Sequence, residues 1–339
     1  MKLQFFLLKR IISMVLVLFG ILAVTFFISR VVPGDPTSLF AGPQRSDPRT
    51  LENVRKMMGL DKPLYMQFIN YIIGVMHGDF GFSWHTGHTV VEDIVKFFPA
   101  TLELAVVSMA LALLVGLLLG IISATRKGKV IDYALRFFSF TGVSIAPFWL
   151  GLMLLYVFFF HLRWAPPPGR LSSFITPPMR ITGLYILDSL LTGNWECLID
   201  SIKHIILPSV CLSYGLIAHI QRLVRASLLE VLQQDYMILA RSKGLPERII
   251  IYKHALRNAI IPTVAWAGMA FSSLLGGTIV VESIFAWPGI GFYAFESIIN
   301  FDYAPVLACT LLFTFLYLVG NLVADILYAV IDPRIRSTG

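Results

Sequence analysis

The sequence predicts an all-α membrane protein with six transmembrane helices and a long external segment after the first. Three observations carry this expectation. Of 339 residues, 57% are hydrophobic and 14% charged, with a mean hydropathy of +0.76, whereas a soluble domain has about 25% charged residues. Six runs are uncharged or nearly so, and each, the fourth with its flanks, can supply the roughly 20 residues that cross hydrocarbon. The remaining charge, net +7, gathers in the connections, where it bears on orientation in a bilayer. It does not form the solvated basic face with interleaved aromatics that nucleic acid requires. Cys197, Cys211 and Cys309 are scattered with no Cys-x-x-Cys, which suggests neither a disulfide framework nor a thiolate metal site.

Lys2, Lys9 and Arg10 precede the uncharged run 11–29. This run is long enough to span, and Val31-Val32-Pro33 is a poor cleavage site, so an uncleaved first span is expected within 1–32. The polar, turn-rich segment 33–98 follows as an external unit. The core, 99–332, holds the runs 104–124, 137–160, 205–220, 259–281 and 303–324, and 333–339 forms a tail. The fourth run is short and spans by adding Gln221 and the His204 flank. Six spans place both termini on one side. With the N-terminus inside, 16 of the 27 Lys and Arg residues fall in the inner connections, so the termini and the segment 221–258 are expected in the cytoplasm.

Within the spans, Ser108, Ala112, Gly116, Gly120 and Ala124 form an i, i+4 ladder, as do Gly268, Ser272 and Gly276. Small residues on one face let helices approach closely, the main contact available where lipid competes for apolar surface. Pro147 and Pro208 are expected to kink the third and fourth spans. Such a bundle can surround a pathway, and it is equally what any polytopic protein needs. The segment 221–258 carries seven Lys or Arg residues. Two short helical patterns there flank a break at Gly244-Leu245-Pro246, a helix-breaking glycine followed by a proline that suits a first helical turn. Ile249, Ile250 and Ile251 point in three directions at helical spacing, so no single face can lie on lipid. A short basic helix that is apolar on several sides fits a socket in another protein. The plainer reading is an ordinary positive cytoplasmic loop, which leaves the break and the isoleucines unexplained.

Catalytic motifs are not found. Gly128-Lys129 fails the Walker A pattern, with Val130 after it and Ser123 at the upstream glycine position. There is no His-Glu-x-x-His and no Gly-x-Ser-x-Gly. His85 and His88 lack supporting carboxylates, and no metal site is expected. Ser213 and His219 share a span but lie six residues apart, roughly 9 Å along the axis and on different faces, which discards a membrane hydrolase. No Asp, Glu, Lys or Arg lies inside the runs, which disfavours a proton or sodium relay. His219 is expected as a hydrogen-bonded interface residue, and Glu103 and Asp325 as span-end residues solvated by water or headgroups.

The stretch Asp235-Tyr236-Met237-Ile238-Leu239-Ala240-Arg241-Ser242-Lys243-Gly244-Leu245 resembles the EAA loop of bacterial ABC-transporter permeases. His254-Ala255-Leu256-Arg257-Asn258-Ala259-Ile260-Ile261-Pro262 resembles the peptide/nickel (dipeptide and oligopeptide) importer class. Glu282-Ser283-Ile284-Phe285-Ala286-Trp287-Pro288-Gly289-Ile290-Gly291 and Asp332-Pro333-Arg334-Ile335-Arg336 resemble it too. So do Pro33-Gly34-Asp35-Pro36, Gly59-Leu60-Asp61-Lys62-Pro63, Gly78-Asp79-Phe80-Gly81 and Pro99-Ala100-Thr101-Leu102-Glu103-Leu104. The likeness covers nearly the whole chain in order and is to the first permease subunit of dipeptide-type systems. Two features depart from the general EAA pattern. Ile238-Leu239 replaces Glu-Ala, and the later proline is delayed to Pro262, both usual in the peptide class.

This resemblance implies a type I ABC importer permease without ATPase motifs of its own. It implies pairing with a second, homologous permease subunit, an external substrate-binding protein, and two ABC ATPase subunits that hold ATP and Mg. This chain itself would hold no cofactor. The coupling element would comprise Ala240, Arg241, Gly244, Leu245, Pro246, Glu247, Arg248, Ile251, His254 and Arg257, with Ser272, Ser273, Gly276 and Gly277 on the substrate pathway. Short peptides are the expected cargo. Nickel chelates, oligosaccharides or another small solute would suit the same machine, and a non-transport membrane scaffold is the alternative from a different class.

Overall fold

The computed structural model describes residues 3–31, Glu52 and 61–331. The Pro33–Pro36 turn, Gly59-Leu60 and the tail from Asp332 lie outside the described residues, and so does the side chain of Asp325. Helix α1 is Leu3–Val31, α2 Leu64–Met76, α3 Val90–Thr125 and α4 Val130–Ser144. A bend at Ile145-Ala146 leads into α5, Pro147–His161, whose last turns from Leu155 are π-helical. Then come α6 (Tyr185–Thr192), α7 (Trp195–Val231) and α8 (Asp235–Ser242). Helix α9 is Glu247–Ala259, with a π-helical middle at Ile250–Ala255. It is followed by α10 (Ile261–Gly277), α11 (Ile279–Ile284), α12 (Ile290–Ile299) and α13 (Tyr303–Ile331).

Among the described residues four helices, α1, α3, α7 and α13, are continuous and apolar enough to cross a membrane. Two bent pairs, α4–α5 at 105° and α9–α10 at 46°, complete six spans when each pair counts as one. The third span is therefore broken rather than kinked. Ile145 and Ala146 are extended, the conformation that a following proline imposes by steric clash, and Pro147 starts the new helix where its missing N–H costs nothing. Pro208, by contrast, sits inside the uninterrupted α7. The fourth span is not short: α7 runs from Trp195 to Val231, so the first third of the basic segment 221–258 continues this helix. Likewise α3 begins well before its apolar run, at a Thr89 capping box with Glu92, which satisfies helix-end N–H groups.

The ladder of α3 packs against α7. Ser108, Ala112, Gly116, Gly120 and Ala124 are all buried. A Cβ on Gly116 would come within 2.7 Å of Ile220, and one on Gly120 within 2.7 Å of Val224. Neither can exist without moving the backbone. The buried cluster here runs on past the membrane core. It joins Ile220, Val224 and Leu228 to Met237 of α8 and to Ile250, Ala255 and Ala259 of α9. Replacing Gly120 with Leu should therefore destabilise the protein by about 1–3 kcal/mol, the usual cost of overpacking. A thermal-unfolding scan in detergent reads this as a lower midpoint, while Leu118→Ala, on the exposed side of α3, should change it little.

Candidate coupling element and outer scaffold

The break at Gly244 is real and sharp. Helix α8 ends at Ser242, Gly244 adopts φ +75°, and Pro246 caps α9 with an extended ψ of 141°. Only glycine takes that φ without steric cost. The two helices are held from below by Met237 and Ile250, both fully buried. The same element exposes Ile238, Leu239, Leu245, Ile249 and Tyr252, with Leu239 57% and Tyr252 59% exposed.

Of the ten sequence-predicted coupling residues, Arg241, Gly244, Leu245, Pro246, Glu247, Arg248, His254 and Arg257 are exposed, and Ala240 and Ile251 are half-buried. Arg241 and Glu247 close across the turn at 2.8 Å, an exposed pair of the kind that contributes little. The three isoleucines have separate fates: Ile249 faces outward, Ile251 is half-buried, and Ile250 belongs to the chain's own core. The three directions expected from helical spacing are thus one outward, one into the core and one between.

The four residues expected on the pathway have different surroundings. Ser272 is buried against Gly320 of α13, and Gly276 lies beside Phe313. Ser273 is exposed, its hydroxyl donating to the Met269 carbonyl at 3.3 Å. Gly277 closes α10. His219 stacks on Trp266, centroids 4.7 Å apart and planes 7° from parallel, so a ring contact takes the place of the expected hydrogen bond.

At the opposite end of the bundle, carboxylates that sequence reasoning missed organise the connections. Glu282 is fully buried. It accepts from the Thr101 and Thr278 hydroxyls, both at 2.8 Å, and from the Phe292 N–H at 2.9 Å. Thr101 in turn accepts from the Ile290 N–H, and the Trp287 indole donates to the Ala100 carbonyl, each at 2.8 Å. The Phe285–Gly291 stretch is thereby pinned to the start of α3. Glu103 is not solvated as expected. It is 5% exposed and paired with Arg170 at 2.6 Å, and it also accepts from the Ile186 N–H at 2.7 Å. Burial so close to the bilayer requires such a partner.

Asp93 accepts from Tyr293 at 2.9 Å and Asp302 from Ser83 at 2.8 Å. Burial pushes the Asp302 carboxyl up, against the pull of the His85 N–H and the Ser83 hydroxyl. At Asp188 burial acts in the same sense, but donors from Thr182, Gly183 and Ile181 outweigh it and hold the carboxyl below its usual range. Its contribution to stability is thus complete above the unfolded carboxylate value, about pH 4, and is lost as acid titrates the folded group. Among the described residues no group of three or more His, Cys, Asp or Glu side chains is arranged to hold a metal ion.

The bundle thus combines broken and continuous spans with a structured turn projecting from one end and hydrogen-bonded connections at the other. The chain belongs to the family of binding-protein-dependent transport system inner membrane components, whose two parts match residues 3–105 and 116–337. It is a multi-pass inner-membrane permease of the ABC importer class and is not itself the ATPase. It is 43% identical over 331 residues to the probable D,D-dipeptide transport system permease protein DdpB of Escherichia coli (strain K12), covering 98% of this chain and 97% of that one. It is 38% identical to the dipeptide permease DppB of Alkalihalophilus pseudofirmus, over 97% and 98% of the two chains. It is also 38% identical to the glutathione permease GsiC of Escherichia coli (strain K12), over 98% of each.

The Glu103–Arg170 pair has a measurable signature. Arg170→Met leaves a buried carboxylate without its cation and should cost about 3–5 kcal/mol. Adding Glu103→Gln to that variant should recover much of the loss in a thermal-unfolding series, and equal midpoints for the single and double variants would show the pair to be uncoupled.

Proposed function

We propose that this chain carries short peptides across the inner membrane, paired with a second homologous permease and driven by two ABC ATPase subunits that bind ATP and Mg. An external binding protein delivers the peptide. The observation that carries this reading is the α8–Gly244–α9 element: rigidly rooted in the chain's own core, yet apolar on its free surface within a basic segment. Exposed apolar side chains together with the exposed Arg241, Arg248 and Arg257 are what a groove on another protein recognises. The peptide cargo is supported by the dipeptide and glutathione permeases to which the chain is similar.

In this reading both termini and the α8–α9 element are cytoplasmic, as the Lys and Arg distribution favours. ATP-driven closure of the ATPases displaces the element as a rigid body. Because Met237 and Ile250 share a core with Ile220 and Val224, α3 and α7 move with it, switching the pathway between inward- and outward-facing states. Ala240, Leu245, Pro246, Glu247, Ile251 and His254 sit within or beside the ATPase groove. Ser273, on the exposed face of α10, lines the pathway, with Ser272, Gly276 and Gly277 supporting that wall.

ATP hydrolysis by the assembled complex in membranes, with binding protein and peptide present, tests the coupling. Gly244→Pro, which cannot adopt φ +75°, should abolish peptide-stimulated turnover while the subunits still co-purify. Unchanged stimulation would sink the coupling assignment. Orientation is tested separately, with Lys127→Cys in the α3–α4 turn. A membrane-impermeant thiol reagent should label it in inverted vesicles and not in right-side-out ones. Mass spectrometry of the solute retained by the binding protein identifies the cargo, and a solute without a peptide bond would overturn that part.

A further inference from the structure

A groove of about 590 Å³ lies between α4 and α7, lined by Tyr133, Arg136, Phe137, Phe140, Arg222 and Arg225. Its floor is fixed by hydrogen bonds between the two helices. Asp132 is buried and accepts from both Arg225 Nε at 2.8 Å and an Arg225 terminal nitrogen at 2.9 Å. It also accepts from the Ser123 hydroxyl at 2.6 Å and the Gly128 N–H at 3.0 Å. One helical turn further along, Gln221 is buried and bonds Ser139 and the Leu135 carbonyl. The charge of Arg225 is therefore matched from within.

Arg136 and Arg222 are different. Both are exposed, and among the described residues neither has an ion-pair partner. Arg136 lies over the Tyr133 ring at 5.9 Å. No acid other than the spent Asp132 occurs on α4 or on residues 201–229 of α7. Beside these two cations stand Phe137, 71% exposed, and Phe140, 70% exposed. The α4 wall of the groove thus carries Arg136 together with the bare aromatic rings, and the α7 wall carries Arg222, the second unmatched guanidinium. Guanidinium donors suit a phosphate diester bidentately, and the aromatic rings suit the glycerol and upper acyl chain of the same molecule.

We infer that this groove binds an anionic phospholipid of the cytoplasmic leaflet, its phosphate between Arg136 and Arg222 and its acyl chains along Phe137 and Phe140. Basic pockets between transmembrane helices on the cytoplasmic side recognise such headgroups. The leaflet assignment rests on the orientation proposed above; the recognition chemistry does not. A lipid wedged there would brace the α4–α7 seam next to the bend at Ile145-Ala146.

The test uses the complete transporter carrying the photoreactive residue benzoylphenylalanine in place of Phe137. It is assembled in nanodiscs of phosphatidylcholine with a minor share of phosphatidylglycerol. After irradiation, mass spectrometry should find phosphatidylglycerol adducts enriched well above that lipid's share of the bilayer. R136Q with R222Q should lower the enrichment roughly tenfold or more, the loss expected for two basic groups at an anionic surface, whereas R136K with R222K should keep most of it. Adducts that follow the bulk lipid composition, that are unchanged in the glutamine pair, or that join Phe137's position to the second permease or to peptide would each overturn the inference. Nanodiscs present both leaflets alike, so this result is independent of the Lys127→Cys labelling that tests orientation.

Discussion

The fold depends on how closely α3 and α7 approach. Lipid offers apolar side chains as good an environment as another helix does, so association in a bilayer relies on close van der Waals contact. Gly116 and Gly120 supply it, with Ile220 and Val224 seated where a Cβ would otherwise stand. That seam does not stop where α3 ends. Leu228, Met237, Ile250 and Ala255 extend it, which makes the α8–α9 element an outgrowth of the bundle core. A push on an element tied only by loops would be absorbed by the loops. A push on this one reaches the spans, because close-packed interiors transmit displacement.

The far end of the bundle is held by a different force. Glu282, Glu103, Asp93 and Asp302 are each buried or nearly so, and each is met by donors from distant parts of the chain. A buried carboxylate short of donors costs far more than it contributes, so these groups fix a single arrangement of the connections. Apolar packing therefore dominates the α3–α7 seam, with the buried Asp132–Arg225 contact beside it, and polar matching dominates the far end. Movement at the packed end is compatible with a rigid frame at the polar one.

Much of this was legible in the residues. Apolar runs announced the spans, Gly244 and Pro246 announced the turn, and the spacing of Gly116 and Gly120 announced a close contact, since all three signals are local. The outer carboxylates were not legible. Thr101 and Glu282 are separated by 181 residues, and Ser83 and Asp302 by 219, and no periodicity links partners so far apart. Glu103 read as a solvated end residue because its cation, Arg170, lies in an irregular loop beyond the next span. The small side chains of α10 marked a close helix contact, and the structure shows its partner to be α13, at Gly320 and Phe313. The family resemblance supplied what local patterns lacked, namely the order of the motifs along the chain and an expected role for the Gly244 turn.

The π-helical middle of α9 has a consequence of its own. Ile250 and Ala255 are both buried although they stand five residues apart, a spacing that an α-helix would place about 140° out of alignment. The wider winding brings them onto one side of the helix. The phase of the whole projecting arm is therefore set by a single surplus residue. Shortening this stretch by one would restore ordinary winding and rotate everything before it by roughly a quarter turn, carrying Ile249 and Leu245 away from the direction they now face without changing any of their identities.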